Sequence, residues 1–213
     1  GMAHFHSIRQ IHPRTICVMN PDTSAPNALR KAGFRQIVTP ASVAEIDLTH
    51  NFHPLQKWRN AQRKAEKSPI TMTHRLFDPL KDDWLFKADL AQQRTKKFRA
   101  TPHAIALFWP AHDTLLSIAY LRKIPVAAML FLTHGATATY QIGWTTDEGR
   151  THAGHNLLLA QAFENLSKRR LKRLDLGTVD TINAPALARF KIGAGATIRP
   201  RGGTWAALPL WRS

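Results

Sequence analysis

The sequence predicts an α+β fold, a mixed and mostly antiparallel central sheet flanked by helices. Three observations predict it. Residues 115–145 form three successive runs rich in β-branched, aromatic and aliphatic side chains, broken only by short turns. Residues 54–67 and 156–170 repeat apolar side chains at spacings of three and four, the pattern of amphipathic helices. From residue 115 onward the order is three strands, helix, strand, helix and two extended segments, which suits a layer of helices on one mixed sheet.

Taken from the N-terminus, residues 15–19 are a short apolar run stopped by Asn20, Pro21 and Asp22, a strand and a turn. Residues 26–33 read as a short helix ended by Gly33. In residues 54–67, Leu55, Trp58, Ala61 and Ala65 share one face, and Lys and Arg between them make the outer face strongly basic. Residues 70–76 alternate as a strand, 80–98 carry Leu85, Leu90 and Phe98 as a longer helix, and 102–109 are a short helix ended by Pro110. The runs 115–121, 125–133 and 136–145 form an antiparallel meander, with hairpin turns at Arg122-Lys123 and at Thr133-His134-Gly135. Leu157, Leu158, Ala162, Phe163 and Leu166 give the helix over 156–170 its apolar side. Residues 171–177 are a strand, 184–192 a helix closed by Gly193, and 197–210 a pair of extended segments around Gly202-Gly203. With no repeat or linker in sight, residues 1–213 read as one domain, 1–46 being an N-terminal extension or first strand-helix unit and 47–213 the core.

Composition narrows the function classes. Gly1 before Met2 has the look of a tag scar, and no charged n-region followed by an apolar h-region comes after it, so no signal peptide is expected. The longest apolar stretch, 124–132, is far below the roughly 20 residues that cross a bilayer. No membrane span and a cytoplasmic location are expected. Cys17 is the sole cysteine, which excludes an internal disulfide framework and a cysteine-based zinc site. Thirty Lys and Arg against 14 Asp and Glu give a formal charge of +16, which attracts polyanions at a distance. Nucleic acid, an acidic carrier protein, anionic head groups and a phosphorylated cofactor all meet that demand, and so does a basic surface with no specific ligand.

Residues 175–197 read DLGTVDTINAPALARFKIGAGAT, a strand ending in Asp-Leu-Gly, then a helix ending in Phe-Lys, then a Gly-Ala turn. This resembles the C-terminal signature of the Fem-type and related GNAT acyltransferases. The segment Trp58-Arg59-Asn60 to Ala65-Glu66-Lys67 is similar to the basic helix those proteins carry before the sheet, so the resemblance spans about residues 47–205. It implies a GNAT-like fold and an acyl-coenzyme A donor, acetyl-CoA or another acyl-CoA, with an amine acceptor.

In such proteins the strand before the long helix splays from its neighbour and pairs with the pantetheine arm, which here implies Ile142, Gly143 and Trp144. The N-terminus of the long helix holds the pyrophosphate, because its first N–H groups lack partners and the helix dipole is positive there. That implies a cradle over Arg150, Thr151, His152, Ala153, Gly154, His155 and Asn156. The family's Arg/Gln-x-x-Gly-x-Gly/Ala pattern is departed from: anchored on Arg150 it places Ala153 and His155 at the glycines, and anchored on Gly154 it places His152 at the first glycine and Gly149 at the Arg/Gln. His152 and His155 have no acidic or cysteine ligand beside them, so no metal is expected. The basic run Lys168 to Arg173 reads as a solvated helix end.

Acyl transfer to an amine needs a base, an oxyanion donor and a proton for the leaving thiolate. The tyrosine that often supplies the proton in this fold is replaced by Phe190. The thiolate leaves unassisted, or is protonated by water or by Tyr140 on the central strand. Asp180, just past the strand that ends at Gly177, is the first choice for base, and equally a cap for the helix near Asn183. Glu148 and the two histidines are weaker choices. Asn183 either hydrogen-bonds the pantetheine amides or caps that helix. Three functions follow: an acyl-CoA-dependent N-acyltransferase, a Fem-type aminoacyl transferase using charged tRNA, or a non-catalytic GNAT-like module binding an acidic partner. Exposed sheet edges make a homodimer a further expectation.

Overall fold

The meander expected over residues 115–145 lies at the centre of a seven-stranded sheet. Strands β5 (Thr114–Leu121), β6 (Ile124–His134) and β7 (Thr137–Thr145) pair antiparallel in succession. The first hairpin closes on Arg122 and Lys123, whose φ angles of 51° and 67° supply the two left-handed positions of a tight turn. The second closes on Gly135 and Ala136. Strand β4 (Thr71–Arg75) flanks β5, and β8 (Arg173–Thr178) joins β7 in parallel. With β3 (Ser42–Asp47) and β9 (Thr197–Pro200) the order is β4-β5-β6-β7-β8-β3-β9. The computed structural model describes residues 15–21, 26–98, 100 and 102–209; the readings placed on Gly1, Met2, Asp22 and Leu210 lie outside them.

Three sequence expectations are corrected here. First, β3 and β2 (Arg35–Val38) form in a stretch expected to hold only a strand and a helix, and β3 enters the large sheet from the N-terminal side of the boundary at residue 47. Glu45 hid this strand by interrupting its apolar run. Its buried carboxylate is answered by Arg201, just past β9, at 3.0 Å, by Arg199 of β9 at 3.3 Å and by Arg173 of β8 at 3.9 Å, which offsets the desolvation of a charge in a sheet interior. Second, the final extended pair is divided between two sheets. β9 stays in the large one, whereas β10 (Thr204–Ala207) pairs with β1 (Cys17–Met19) and β2 in a small sheet. Helix α1 (Pro26–Lys31) covers it, and Leu29, Phe34 and Trp205 form its core.

Third, the helices begin and end elsewhere than periodicity placed them. Helix α3 (Asp83–Lys96) starts three residues late because Asp82, wholly buried, ties up the preceding turn: it accepts from Arg75 at 2.5 and 2.6 Å and from Asp78 N at 2.9 Å. Helix α4 is only Ala104–Leu107, since a residue ahead of Pro110 disfavours helical backbone. Helix α5 (Asp147–Thr151) occupies what was expected to be loop, and Thr146 Oγ1 caps it by accepting from Gly149 N at 3.1 Å. Helix α6 (Gly154–Lys168) starts two residues before the expected Asn156.

Both faces of the sheet are covered, which is why β5 is buried through six consecutive residues instead of alternating. On one face Leu115, Met129 and Phe131 pack with Leu158, Leu159 and Phe163 of α6 and with Trp58 of α2 (Gln56–Glu66). On the other, Leu116, Ile118, Leu130 and Ile142 pack with Leu85 of α3 and Ala106 of α4. Among the described residues no helix is long and apolar enough to cross a membrane.

Candidate functional site

The two strands at the middle of the sheet separate. β7 and β8 pair only at Thr137 with Arg173, Ala138 with Leu174 and Thr139 with Asp175, so among the described residues the rest of β7 runs on without β8. The register of β7 against β6 slips between Leu130 and Phe131, which leaves Gln141 as an extra residue. That bulge turns Tyr140 and Gly143 to the same face. A Cβ on Gly143 would fall 1.5 Å from Tyr140 Oη and 2.5 Å from Cζ, so only glycine leaves room for the phenol. The Gln141 Nε2 is buried and unpartnered among the described residues. Burial first, and the charge of Asp89 second, raise the Tyr140 hydroxyl above its usual range, so it stays protonated at every ordinary pH.

The opposite wall of the gap ends in Lys191, on α7 (Pro185–Gly193). Its side chain is buried and its Nζ donates to Thr178 O at 2.7 Å, 3.8 Å from where a Cβ on Gly177 would stand. Desolvation lowers this ammonium to about 8, with Asp175 acting the other way. It is charged at neutral pH and retains two N–H donors beyond the one spent on Thr178.

Helix α6 points its N-terminus at the same region. His155 donates Nε2–H to Trp144 O at 2.9 Å, and Gln92 of α3 donates Nε2–H to Gly143 O at 2.8 Å, so two carbonyls of the splayed strand already have side-chain partners. Desolvation lowers His155 to about 4, against the raising effect of the Trp144 and Ala128 carbonyls, and leaves it neutral. On the outer side of this helix start, a groove of about 610 Å³ is lined by Asn60, Arg63, Lys64, Lys67, Ser68, Pro69 and His152. Three cations and an imidazole thus stand beside a helix N-terminus, an arrangement that suits a phosphate group.

The sequence-predicted residues separate into groups on this frame. Tyr140, Ile142, Gly143 and Trp144 all lie on the splayed part of β7, although Ile142 points into the α3-side core. His152 lines the groove, whereas Arg150 turns away to Thr145 O at 3.2 Å and to Asp147. Ala153, at φ 51°, is the residue ahead of α6, and Gly154 and Asn156 belong to its first turn. Phe190 sits between Trp58 and His155, with ring centroids 6.0 and 6.1 Å away. Asp180 accepts from Ile182 N at 2.9 Å, Asn183 N at 2.8 Å and Asn183 Nδ2 at 2.8 Å, so both residues hold the loop ahead of α7. The Asn183 side chain, then its backbone, keeps the Asp180 carboxyl below its usual range. Sequence reasoning passed over Lys191 and Gln141. The signal for Lys191 was present: it follows Phe190 directly in the quoted signature, on a helix whose other face is apolar.

The family model for the acetyltransferase (GNAT) domain matches residues 55–191, more than half of the chain. The chain belongs to the GNAT family. This GNAT domain has the fold of FemX, with a TM-score of 0.75 at 12% identity, over 98% of this chain and 76% of that one. It is also similar to the C-terminal domain of a putative lysylphosphatidylglycerol synthetase from Agrobacterium fabrum, with a TM-score of 0.62 at 14% identity over 96% and 71%. A tandem GNAT protein from the clavulanic acid biosynthesis pathway aligns with a TM-score of 0.54 at 14% identity over 99% and 69%. No curated protein sequence matches significantly. The family supports an acyltransferase, and the solved structures share its fold.

Proposed function

We propose that this GNAT protein moves an acyl group from an acyl-coenzyme A thioester, acetyl-CoA being the simplest, to an amine in a direct ternary complex. The observation that carries the proposal is the β7–β8 gap, with Tyr140 on the free part of β7 and Lys191 bonded to the end of β8, beside a separate basic groove that includes His152, two residues ahead of α6. Arg63, Lys64, Lys67 and His152 hold the phosphates of the donor there, and the gap admits its extended arm. The Lys191 ammonium stabilises the oxyanion that forms when the amine attacks the carbonyl carbon, a charge-assisted contact in a dry site. Tyr140, kept protonated, donates to the departing thiolate. Asp180 holds the loop that carries α7, its oxygens being occupied by Asn183 and Ile182.

A second reading, aminoacyl transfer from a charged tRNA, is favoured by one feature. The groove continues onto the outer face of α2, where Lys57, Arg59, Arg63, Lys64 and Lys67 are exposed and match a longer phosphate backbone. Thermal unfolding with coenzyme A, acetyl-CoA and tRNA separates the two. A ligand at 100 times its Kd stabilises by about 2.7 kcal/mol, a readily measured shift. A shift with acetyl-CoA supports the first reading. No shift with any acyl-CoA, together with tRNA binding that falls steeply with salt, replaces it by the second.

A further inference from the structure

The proposed reaction lacks a base, since Asp180 is engaged in its own loop, and an unused pair of titratable residues stands on the other side of the gap. Asp89 of α3 is 3% exposed. Its Oδ2 accepts from His103 Nε2 at 2.8 Å and from Gln93 Nε2 at 2.6 Å, while Gln93 Oε1 accepts from Ala100 N at 3.1 Å. The His103 ring stacks on Phe86 at 4.6 Å with an interplanar angle of 18°. An imidazole whose Nε2–H is held by a buried carboxylate is fixed in the tautomer that leaves Nδ1 as a lone-pair base. That Nδ1 has no hydrogen-bond partner among the described residues, and the side chain retains 13% exposure.

One contact places the pair beside the splayed part of β7, and two longer-range electrostatic effects agree with it. Gln92, three residues beyond Asp89 on α3, bonds the Gly143 carbonyl of the splayed strand. The Asp89 charge acts on the Tyr140 hydroxyl, which stands over that same Gly143. Lys96, two turns beyond Asp89 on α3, interacts electrostatically both with Asp89 and with His155 at the start of α6. A staple between α3 and α4 would need neither a buried charge nor an open ring nitrogen; an apolar contact would join them at lower desolvation cost.

We propose that the buried Asp89–His103 pair, on the α3 side of the β7–β8 gap, receives a primary-amine acceptor and takes its proton. The proposal rests on the transferase reading for its chemistry but not for its binding step. The acceptor arrives as an ammonium, attracted to the Asp89 carboxylate on the sheet face that carries the half-buried rings of Trp84, Phe86 and Trp144. It gives one proton to His103 Nδ1, which passes it to solvent. The freed nitrogen forms the new N–C bond, the bond from the carbonyl carbon to the leaving sulfur or ribose oxygen breaks, and the second proton ends on that leaving atom. Amide, free leaving group and one proton result, with no change in oxidation state.

The test uses the whole chain with ¹³C-labelled histidine, and n-butylamine as the acceptor probe. Butylamine shifts the His103 ring signal, identified by its loss in H103Q, and fails to do so in D89N. An unmoved signal in the wild type, or an equal shift in D89N, overturns the proposal whether or not any donor reacts. Should D89N fail to fold, the amine comparison in H103Q decides. With whichever of acetyl-CoA and aminoacyl-tRNA supports transfer, H103Q loses transfer to butylamine, protonated at neutral pH, by at least about 100-fold. Transfer to hydroxylamine, unprotonated there and in no need of a base, falls far less. Equal losses with both amines make the pair a structural staple and overturn the proposal. A butylamine shift without transfer from either donor refutes the transferase reading and leaves the amine site standing.

Discussion

Gly143→Ala tests whether the bulge in β7 exists to seat Tyr140. The added methyl falls 1.5 Å from Tyr140 Oη, 2.5 Å from Cζ and 3.2 Å from Cε2. No rotation of a phenol about its own axis clears contacts with both Oη and Cζ, so the ring must move as a body. Overpacking of this kind costs about 1–3 kcal/mol. In a chain of this length each kcal/mol moves the melting midpoint by about 2–4 °C, so the expected fall is roughly 2–12 °C. A double-mutant cycle isolates the cause. Tyr140→Ala removes all three contacting atoms, and in that background Gly143→Ala is neutral or raises stability by about 0.4–1 kcal/mol, because Gly143 does not occupy the left-handed region and alanine lowers the entropy of the unfolded chain. The coupling energy from denaturant titration is therefore about 1–4 kcal/mol. An unchanged cost of Gly143→Ala with and without the phenol refutes the reasoning, and a neutral effect in the wild type refutes the position of Tyr140.

Three further outcomes follow from the site. Lys191 is lowered to about 8 from 10.5, so the unfolded chain binds more protons between those values and stability rises with pH across them; Lys191→Met therefore melts higher than the wild type at pH 7, by a margin that narrows towards pH 10, while acyl transfer falls. His155 is lowered from 6.5 to about 4, so the stability present above pH 6.5 is lost as pH falls towards 4, and His155→Gln shows a flatter acid limb in urea midpoints. Charge reversal at Lys64 and Lys67 together weakens coenzyme A binding by about tenfold or more, roughly 1.4 kcal/mol, with a shallower salt dependence by calorimetry.

The parts legible in the sequence were those encoded locally. Residues 115–145 carry three extended runs and turn residues in sequence order, so each strand meets its neighbour and the meander follows directly. The start of α6 was legible to within two residues, and with it His152 and His155. What escaped was set by contacts between distant segments. Glu45 reads as a surface residue until Arg173, Arg199 and Arg201 are brought around it. Lys191 reads as a solvated helix residue; only the fold puts it beneath Gly177 with Thr178 O as its acceptor. The basic groove joins residues 60–69 to His152, and no spacing in the sequence pairs them. Asp180 shows the reverse case, a local Asx-type turn with Asn183 whose two roles look alike in sequence and whose contacts appear only in the fold.

The placement of β3 bears on how the chain assembles. β4 to β7 are a succession of neighbours, with β5, β6 and β7 forming by short hairpins, whereas β8, β3 and β9 bring residues 42–47 against 173–178 and 197–200. Closing so long a loop is entropically costly and comes late relative to hairpin formation. The seam between the early and late halves is the three-residue junction of β7 with β8. Native-state hydrogen exchange should therefore find β5 and β6 among the last amides to open and β8 with β3 opening as a separate unit. The gap that serves as the candidate site is then also the natural line of local opening, so in the proposed reaction a donor arm would enter by parting two halves that join late in folding, without disturbing the half that forms first.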